Sequence, residues 1–198
     1  IYLASQSPRR RELLMQVGVP FEVFRVRERS GRPIDVDEAP LPHEDPREYV
    51  ERIARLKAAA AWTYREWRRW PEMPVLAADT TVCVEERILG KPADAADARS
   101  MLRLLSGRTH TVFTAVVLRH AHGLETALSA STVRFRPLEE DEIAAYVRTG
   151  EPMDKAGAYA IQGRAQAFIP SIEGSYSGIV GLPLSETMQL LRAACVRD

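Results

Sequence analysis

Short apolar runs of strand type alternate with capped, one-faced helical segments along the whole chain, and this alternation is what most limits its fold. Ile1-Tyr2-Leu3-Ala4 reads as a buried strand. Ser7-Pro8 then offers an N-cap with proline at the first helical position, Leu13, Leu14 and Val17 an apolar face, and Gly18 a stop. Phe21 to Val26 reads as a strand, and Arg27 to Pro42, polar and rich in Pro and Gly, as a mobile loop. Asp45-Pro46-Arg47-Glu48 resembles a capping box that opens a long helix to about Trp67. Val75 to Ala78 is a short apolar strand ending on Asp79, while Val82, Val84 and Arg87 to Leu89 suggest a hairpin closed by Glu85-Glu86.

The same punctuation continues. A helix from near Asp94 to Leu105 shows Ala98, Met101, Leu102 and Leu105 on one face and is closed by Gly107. His110 to Leu118 and Thr126 to Phe135 read as long strands joined by the turn at His120 to Gly123. A helix after Pro137 presents Ile143, Tyr146 and Val147 and stops at Gly150. Strands are expected at Ala158 to Ile161 and Ala165 to Ile169, and a final helix near Pro183. Helices alternate with strands, some of them adjacent, which predicts an α/β fold: a mixed twisted sheet with flanking helices. At 198 residues, with no internal repeat, the chain is expected to form a single domain over 1–198.

Charge and cysteine usage narrow the function classes. Lys plus Arg and Asp plus Glu both number 27, so the basic excess of a nucleic-acid coat is missing. Cys83 and Cys195 stand far apart without CxxC spacing, which fits buried free thiols in a reducing compartment better than a disulfide framework or a zinc site. A cytoplasmic location is expected. No long uncharged apolar run suggests a membrane span, and no leader is read. Ile1 opens inside a strand, so residues ahead of it are expected.

Several residues sit badly as pure structure. Arg9, Arg10 and Arg11 occupy the first turn of the first helix, where cations oppose the dipole by roughly 0.3–1 kcal/mol each. A bound anion would reverse that sign; otherwise the three simply point into water. Val50, Ile53, Ala54 and Lys57 share helical spacing, which places a lysine on an apolar face, either snorkelling or aimed into a cleft. Asp79 follows an apolar strand, the usual station of a catalytic carboxylate in α/β proteins, or else serves a turn. Lys91 lies on the stiff Gly90-Lys91-Pro92 turn. His43, His110, His120 and His122 read as structural or exposed, and no Ser-His-Asp arrangement emerges. Cations in three places, carboxylates between them and no obvious nucleophile suit phosphoryl chemistry on a polyanion with a divalent metal and a water.

These residues also carry a family resemblance. LASQSPRRRELL at Leu3 to Leu14, AADTTV at Ala77 to Val82, ILGKP at Ile88 to Pro92 and LSGRTH at Leu105 to His110 resemble, in order, the blocks of the Maf-like nucleotide pyrophosphatases. GEPMDKAGAYAIQG at Gly150 to Gly163 and IVGLPL at Ile179 to Leu184 complete the series, so the likeness covers nearly the whole chain. The resemblance implies two lobes around a central cleft, a homodimer, and hydrolysis between the α and β phosphates. It implies Asp79 as proton acceptor, magnesium or manganese held by Glu38 and Asp79, and phosphates held by Arg10, Lys57 and Lys91. Asp35 and Asp37 are the alternatives to Glu38 in that loop. The blocks are most similar to those of the subgroup acting on dTTP and UTP, with Arg9, Thr80 and Gln162 as its specificity markers. A primary amide such as Gln162 both donates and accepts, as the carbonyl–NH–carbonyl edge of uracil or thymine requires. Two other readings stay open: a modified nucleotide as the true substrate, and a nucleotide-binding regulator of cell division. No nucleic-acid or membrane partner is expected.

Overall fold

The computed structural model describes residues 1–24 and 36–194; the expected loop from Arg27 lies for the most part outside the described residues, as do Asp35 and Cys195. In chain order the elements are β1 (Tyr2–Leu3), α1 (Pro8–Gln16), β2 (Glu22–Val23), α2 (Pro46–Arg68), β3 (Val75–Val84), β4 (Arg87–Leu89) and α3 (Ala95–Leu105). They continue as β5 (Thr109–His120), β6 (Gly123–Arg134), α4 (Glu140–Arg148), β7 (Ser171–Glu173), α5 (Tyr176–Val180) and α6 (Leu184–Ala193). One sheet joins all seven strands in the order β2-β1-β3-β5-β6-β7, with β4 also paired to β3. β2, β1 and β3 run parallel, and every other pairing is antiparallel. The mixed α/β class expected from the alternation is the one observed.

The pleat explains where the helices lie. Successive strand side chains point to opposite faces. Ala77, Phe113, Ala115 and Val117 pack with Val50, Ile53, Ala54 and Ala58 of α2, which therefore covers one face. Leu76, Ala78, Val116 and Leu118 pack instead with Leu13 and Leu14 of α1 and Leu191 of α6 on the other. Farther along that second face, Val82, Val84, Val112 and Val133 meet α3, α4 and the segment carrying Tyr159, Ala165 and Phe168.

Three expectations are corrected. The strand at Val75 does not end on Asp79: β3 runs unbroken to Val84, because its whole length is zipped to β5 from Val75↔Arg119 to Cys83↔Thr111. The runs from Ala158 and Ala165 are not strands. Both regions carry short 3-10 turns, Ala156–Ala158 and Arg164–Phe168, and their apolar side chains are buried by packing rather than by pairing. Gly157 shows why: its φ is +67°, and a Cβ there would lie 2.9 Å from a methyl of Val82, so this turn presses backbone against β3 where only glycine fits. The strand of this region is β7, and α5 ahead of Gly181 was not anticipated.

Smaller departures concern ends and surfaces. Ser7 occupies the N-cap position of α1 without a side-chain cap bond, and Val17 is exposed. Asp45 caps α2 by accepting from the Arg47 amide at the second helical position, a simple N-cap rather than a capping box. Cys83 is half-buried rather than buried.

Candidate active site

The sheet leaves a gap beside β3. β3 pairs with β1 only at Val75 and Leu76, and with β4 only at Val82 to Val84. Between these two short neighbours, no described strand covers that edge of β3. Asp79 and Thr80 lie within the gap, and a cavity of ≈ 780 Å³ opens there, of a size suited to a small-molecule ligand.

Because the two residues are consecutive on a strand, they reach the cavity from opposite faces. Asp79 points to the α2 side, where Lys57 Nζ donates to its Oδ1 at 2.7 Å. The same ammonium lies 2.8 Å from Glu38 Oε1, so one lysine joins the two carboxylates. This answers the misfit on α2: Lys57 extends from an apolar helix face onto a buried acid rather than snorkelling to water. Tyr49 stands two i,i+4 steps before Lys57 on α2, and its hydroxyl donates to the Glu38 carbonyl at 3.0 Å, tying the segment at Glu38 to the helix. Asp37 is engaged locally, accepting from the Ala39 amide.

Thr80 points to the α1 side and meets Arg10. The guanidinium donates through Nε to the Gly181 carbonyl at 2.7 Å, through Nη1 to Ser5 Oγ at 3.2 Å and through Nη2 to Thr80 Oγ1 at 3.2 Å. Three of its five N–H groups are thus anchored in the protein, and two are left for a ligand. Gly181 has φ +129°, a conformation that suits glycine, and the turn there aims its carbonyl at Arg10. The three consecutive arginines have separate fates. Arg10 is the one anchored beside β3, Arg9 lies 3.5 Å from Asp154 on the cavity wall, and Arg11 donates to the Gln6 carbonyl.

Burial sets the protonation chemistry. Asp79, 7% exposed, has its pKa pushed above the ordinary carboxylate value by desolvation, which Lys57 and Arg10 only partly offset and which Glu38 reinforces. Tyr49 is raised to about 12, first by burial and then by the Asp79 and Glu38 charges. Desolvation lowers the pKa of Arg10, with Asp79 opposing the shift; an arginine stays charged regardless. A carboxylate held partly dehydrated beside a lysine is a competent proton acceptor for a water, and the neighbouring cations can hold a polyanion.

The remaining sequence candidates border the same cavity: Lys91 after β4, and Gln162 after the glycine-pinned turn. Both are exposed, so their groups are free to meet a ligand. Tyr49 and Lys155 were not singled out from sequence. The spacing from Tyr49 through Ile53 to Lys57 was the available signal for the first. Lys155 also lines the cavity, donating to the Glu151 carbonyl at 2.7 Å and contacting Asp154. Nothing but its place in the Gly150 to Gly163 block pointed to it.

Glu38 and Asp79 are a pair of hard oxygen donors facing this cavity, and among the described residues no group of three or more His, Cys, Asp or Glu gathers. Two carboxylates with the remaining positions left to substrate oxygens and water is a donor set that fits magnesium or manganese. No described helix is long and apolar enough to cross a membrane.

Sheet, cavity and charges together define an α/β protein whose pocket suits a polyanionic small molecule. The chain belongs to the Maf-like protein family, whose model matches residues 1–194. It is 58% identical over 195 residues to the dTTP/UTP pyrophosphatase of Aromatoleum aromaticum, covering 98% of this chain and 94% of that protein. It is 56% identical over 191 residues to the dTTP/UTP pyrophosphatase of Nitrosomonas europaea, covering 96% and 92% respectively. With the dTTP/UTP pyrophosphatase of Cupriavidus pinatubonensis it shares 53% identity over 197 residues, covering 100% of this chain and 98% of that one.

Proposed function

We propose that this chain is a nucleoside triphosphate pyrophosphatase that hydrolyses dTTP and UTP to the monophosphate and pyrophosphate. One observation carries the reading: on a single strand, Asp79 with Lys57 and Thr80 with Arg10 face one cavity from opposite sides of the sheet. Full-length relatives bearing that activity in their names support it.

In this reading Arg10, Lys57 and Lys91 hold the phosphates. Asp79 accepts a proton from water as the water oxygen bonds to the α-phosphorus. The bond from that phosphorus to the bridging oxygen breaks, and pyrophosphate leaves with the electron pair. Glu38 and Asp79 would hold a divalent ion, magnesium or manganese, whose chemistry when bound is to polarise phosphate oxygens and share their charge. Gln162, with Arg9 and Thr80, reads the base. The amide answers adjacent donor and acceptor positions on the uracil or thymine edge. The protein is proposed to act in the cytoplasm as a homodimer, which sedimentation equilibrium checks directly.

The test is product analysis on purified protein with dTTP, UTP, CTP, ATP, GTP and 7-methyl-GTP, with and without magnesium or manganese. Monophosphate plus pyrophosphate from dTTP and UTP, formed only with metal, is the expected result. Release of inorganic phosphate instead, or tight binding of nucleotides with no turnover of any, would overturn it.

A further inference from the structure

Behind the cavity, Thr114 on β5 stands directly opposite Thr80 in the register of β3 and β5. Thr114 is wholly buried and does not line the cavity. Its Oγ1 lies 3.0 Å from Thr80 Oγ1 and 2.8 Å from the Gly178 carbonyl oxygen. Together with Arg10 this makes an unbroken chain from guanidinium to hydroxyl to hydroxyl to carbonyl, anchored at its far end in α5.

The proton positions along it follow from the two ends. A guanidinium only donates and a carbonyl only accepts. Thr114 has one hydroxyl proton, and the contact with the Gly178 oxygen at 2.8 Å is a hydrogen bond only if that proton is spent there. The contact between the two threonines is then one in which Thr80 donates and Thr114 accepts. With its proton committed, Thr80 turns lone pairs to Arg10 and accepts from Nη2. Neither hydroxyl has a second arrangement that keeps all three contacts.

We propose that Thr114 is a positioning residue for the active site: by taking the Thr80 proton it fixes Thr80 as an acceptor and so holds the Arg10 guanidinium in place. It touches no ligand itself. The consequence for catalysis rests on the proposed nucleotide pyrophosphatase activity, whereas the positioning of Arg10 does not.

The experiment compares Thr114→Val, which keeps shape but removes the hydroxyl, with Thr114→Ser, which keeps the hydroxyl but removes a methyl. Thr114→Val is expected to lower kcat/KM for UTP about tenfold, while Thr114→Ser stays within about twofold of wild type. In a Thr80→Val background, Thr114→Val should cost nothing further, because the path to Arg10 is already cut. A merely structural role predicts the reverse: the serine variant, which opens a void, is impaired at least as much, and the two losses multiply. Thr114→Cys, whose thiol is a poor donor, serves the comparison if the valine variant does not fold. A second readout needs no nucleotide. Solvent exchange of the Arg10 Nε–H, followed by NMR, should quicken in Thr114→Val and not in Thr114→Ser. If wild-type protein leaves UTP intact but the exchange follows this pattern, the activity assignment fails and the positioning stands. Wild-type turnover of UTP, with valine and serine variants alike in both rate and exchange, would overturn the positioning.

Discussion

Asp79 on β3 and His110 on β5 are both almost fully buried, at 7% and 3% exposure, yet the molecule treats the two regions around them in opposite ways. Asp79 stands in the gap of the sheet among Lys57, Arg10 and Glu38. His110 stands in the apolar layer beneath α3 and α4, edge-on to Phe135 and Tyr159, with its Nε2 2.8 Å from the Tyr159 hydroxyl. Around the aspartate, opposed charges are held close without fully cancelling the cost of burial. Around the histidine, among the described residues, no charge offsets desolvation, which lowers its pKa to about 4 and keeps the ring neutral. A core removes charge from its buried groups; a catalytic cavity retains it. That difference, more than depth of burial, supports the gap as the proposed place of reaction.

The comparison breaks most visibly at Asp79. Asp79→Asn should keep the fold and lower turnover of UTP by about 10²–10⁴-fold, the usual worth of a general base. It should also stabilise the protein at neutral pH. A carboxyl whose folded pKa is raised binds its proton more tightly in the native state, so stability is lost as pH rises from the ordinary carboxylate pKa through the raised one. Asparagine never ionises and escapes that loss. Urea unfolding at pH 7 reads the sign: an asparagine variant that is clearly less stable would mean that the Lys57 pairing outweighs the desolvation of Asp79.

His110 carries the opposite slope. Its folded pKa of about 4 lies below the ordinary 6.5, so its contribution is complete above pH 6.5 and is lost as pH falls toward 4, amounting to about 3 kcal/mol. His110→Gln keeps a polar partner for Tyr159 without a proton to take up. Between pH 6.5 and 4.5, wild type should lose stability more steeply than this variant in parallel urea titrations. Equal slopes would show that the imidazole charges inside the fold.

How much of this was legible in the chain differs along the same line. The alternation of elements, the faces of the helices and, Asp154 and Lys155 apart, the charged residues named at the cavity could be read, since each depends on local spacing or on a side chain with a strong preference of its own. Lys57 was conspicuous because an ammonium on an apolar helix face calls for a partner. What was not legible depended on pairing across the chain. That β3 continues past Asp79 is decided by β5, not by residues near Asp79, and the gap exists only because β1 and β4 are both short. Ala158 to Ile161 read as a strand because apolar runs look alike whether they are buried by pairing or by turns, and only the approach of Gly157 to Val82 separates the two. Neither the type nor the spacing of Thr114 pointed to a role for its hydroxyl, since a threonine in a strand is ordinary until its opposite neighbour is known.

The smallest expected effect lies among charges remote from the gap. On the outer surface Arg103 grips Glu140 through two contacts, at 2.5 and 2.7 Å, neither longer than the contacts of Lys57. The guanidinium holds the Glu140 carboxyl below its usual pKa, but both side chains are more than half exposed. Water screens such a pair and solvates either partner well once they part, so the bond adds little beyond what hydration already supplies. Arg103→Ala should therefore leave turnover of UTP unchanged and move the melting temperature only marginally, with the remaining difference vanishing in high salt. The same salt should barely alter the effect of Asp79→Asn, because the Asp79 and Lys57 charges are shielded from ions by the protein itself. A loss in Arg103→Ala that persists in high salt would place its origin in the packing of its aliphatic stem on α3 and α4 rather than in charge.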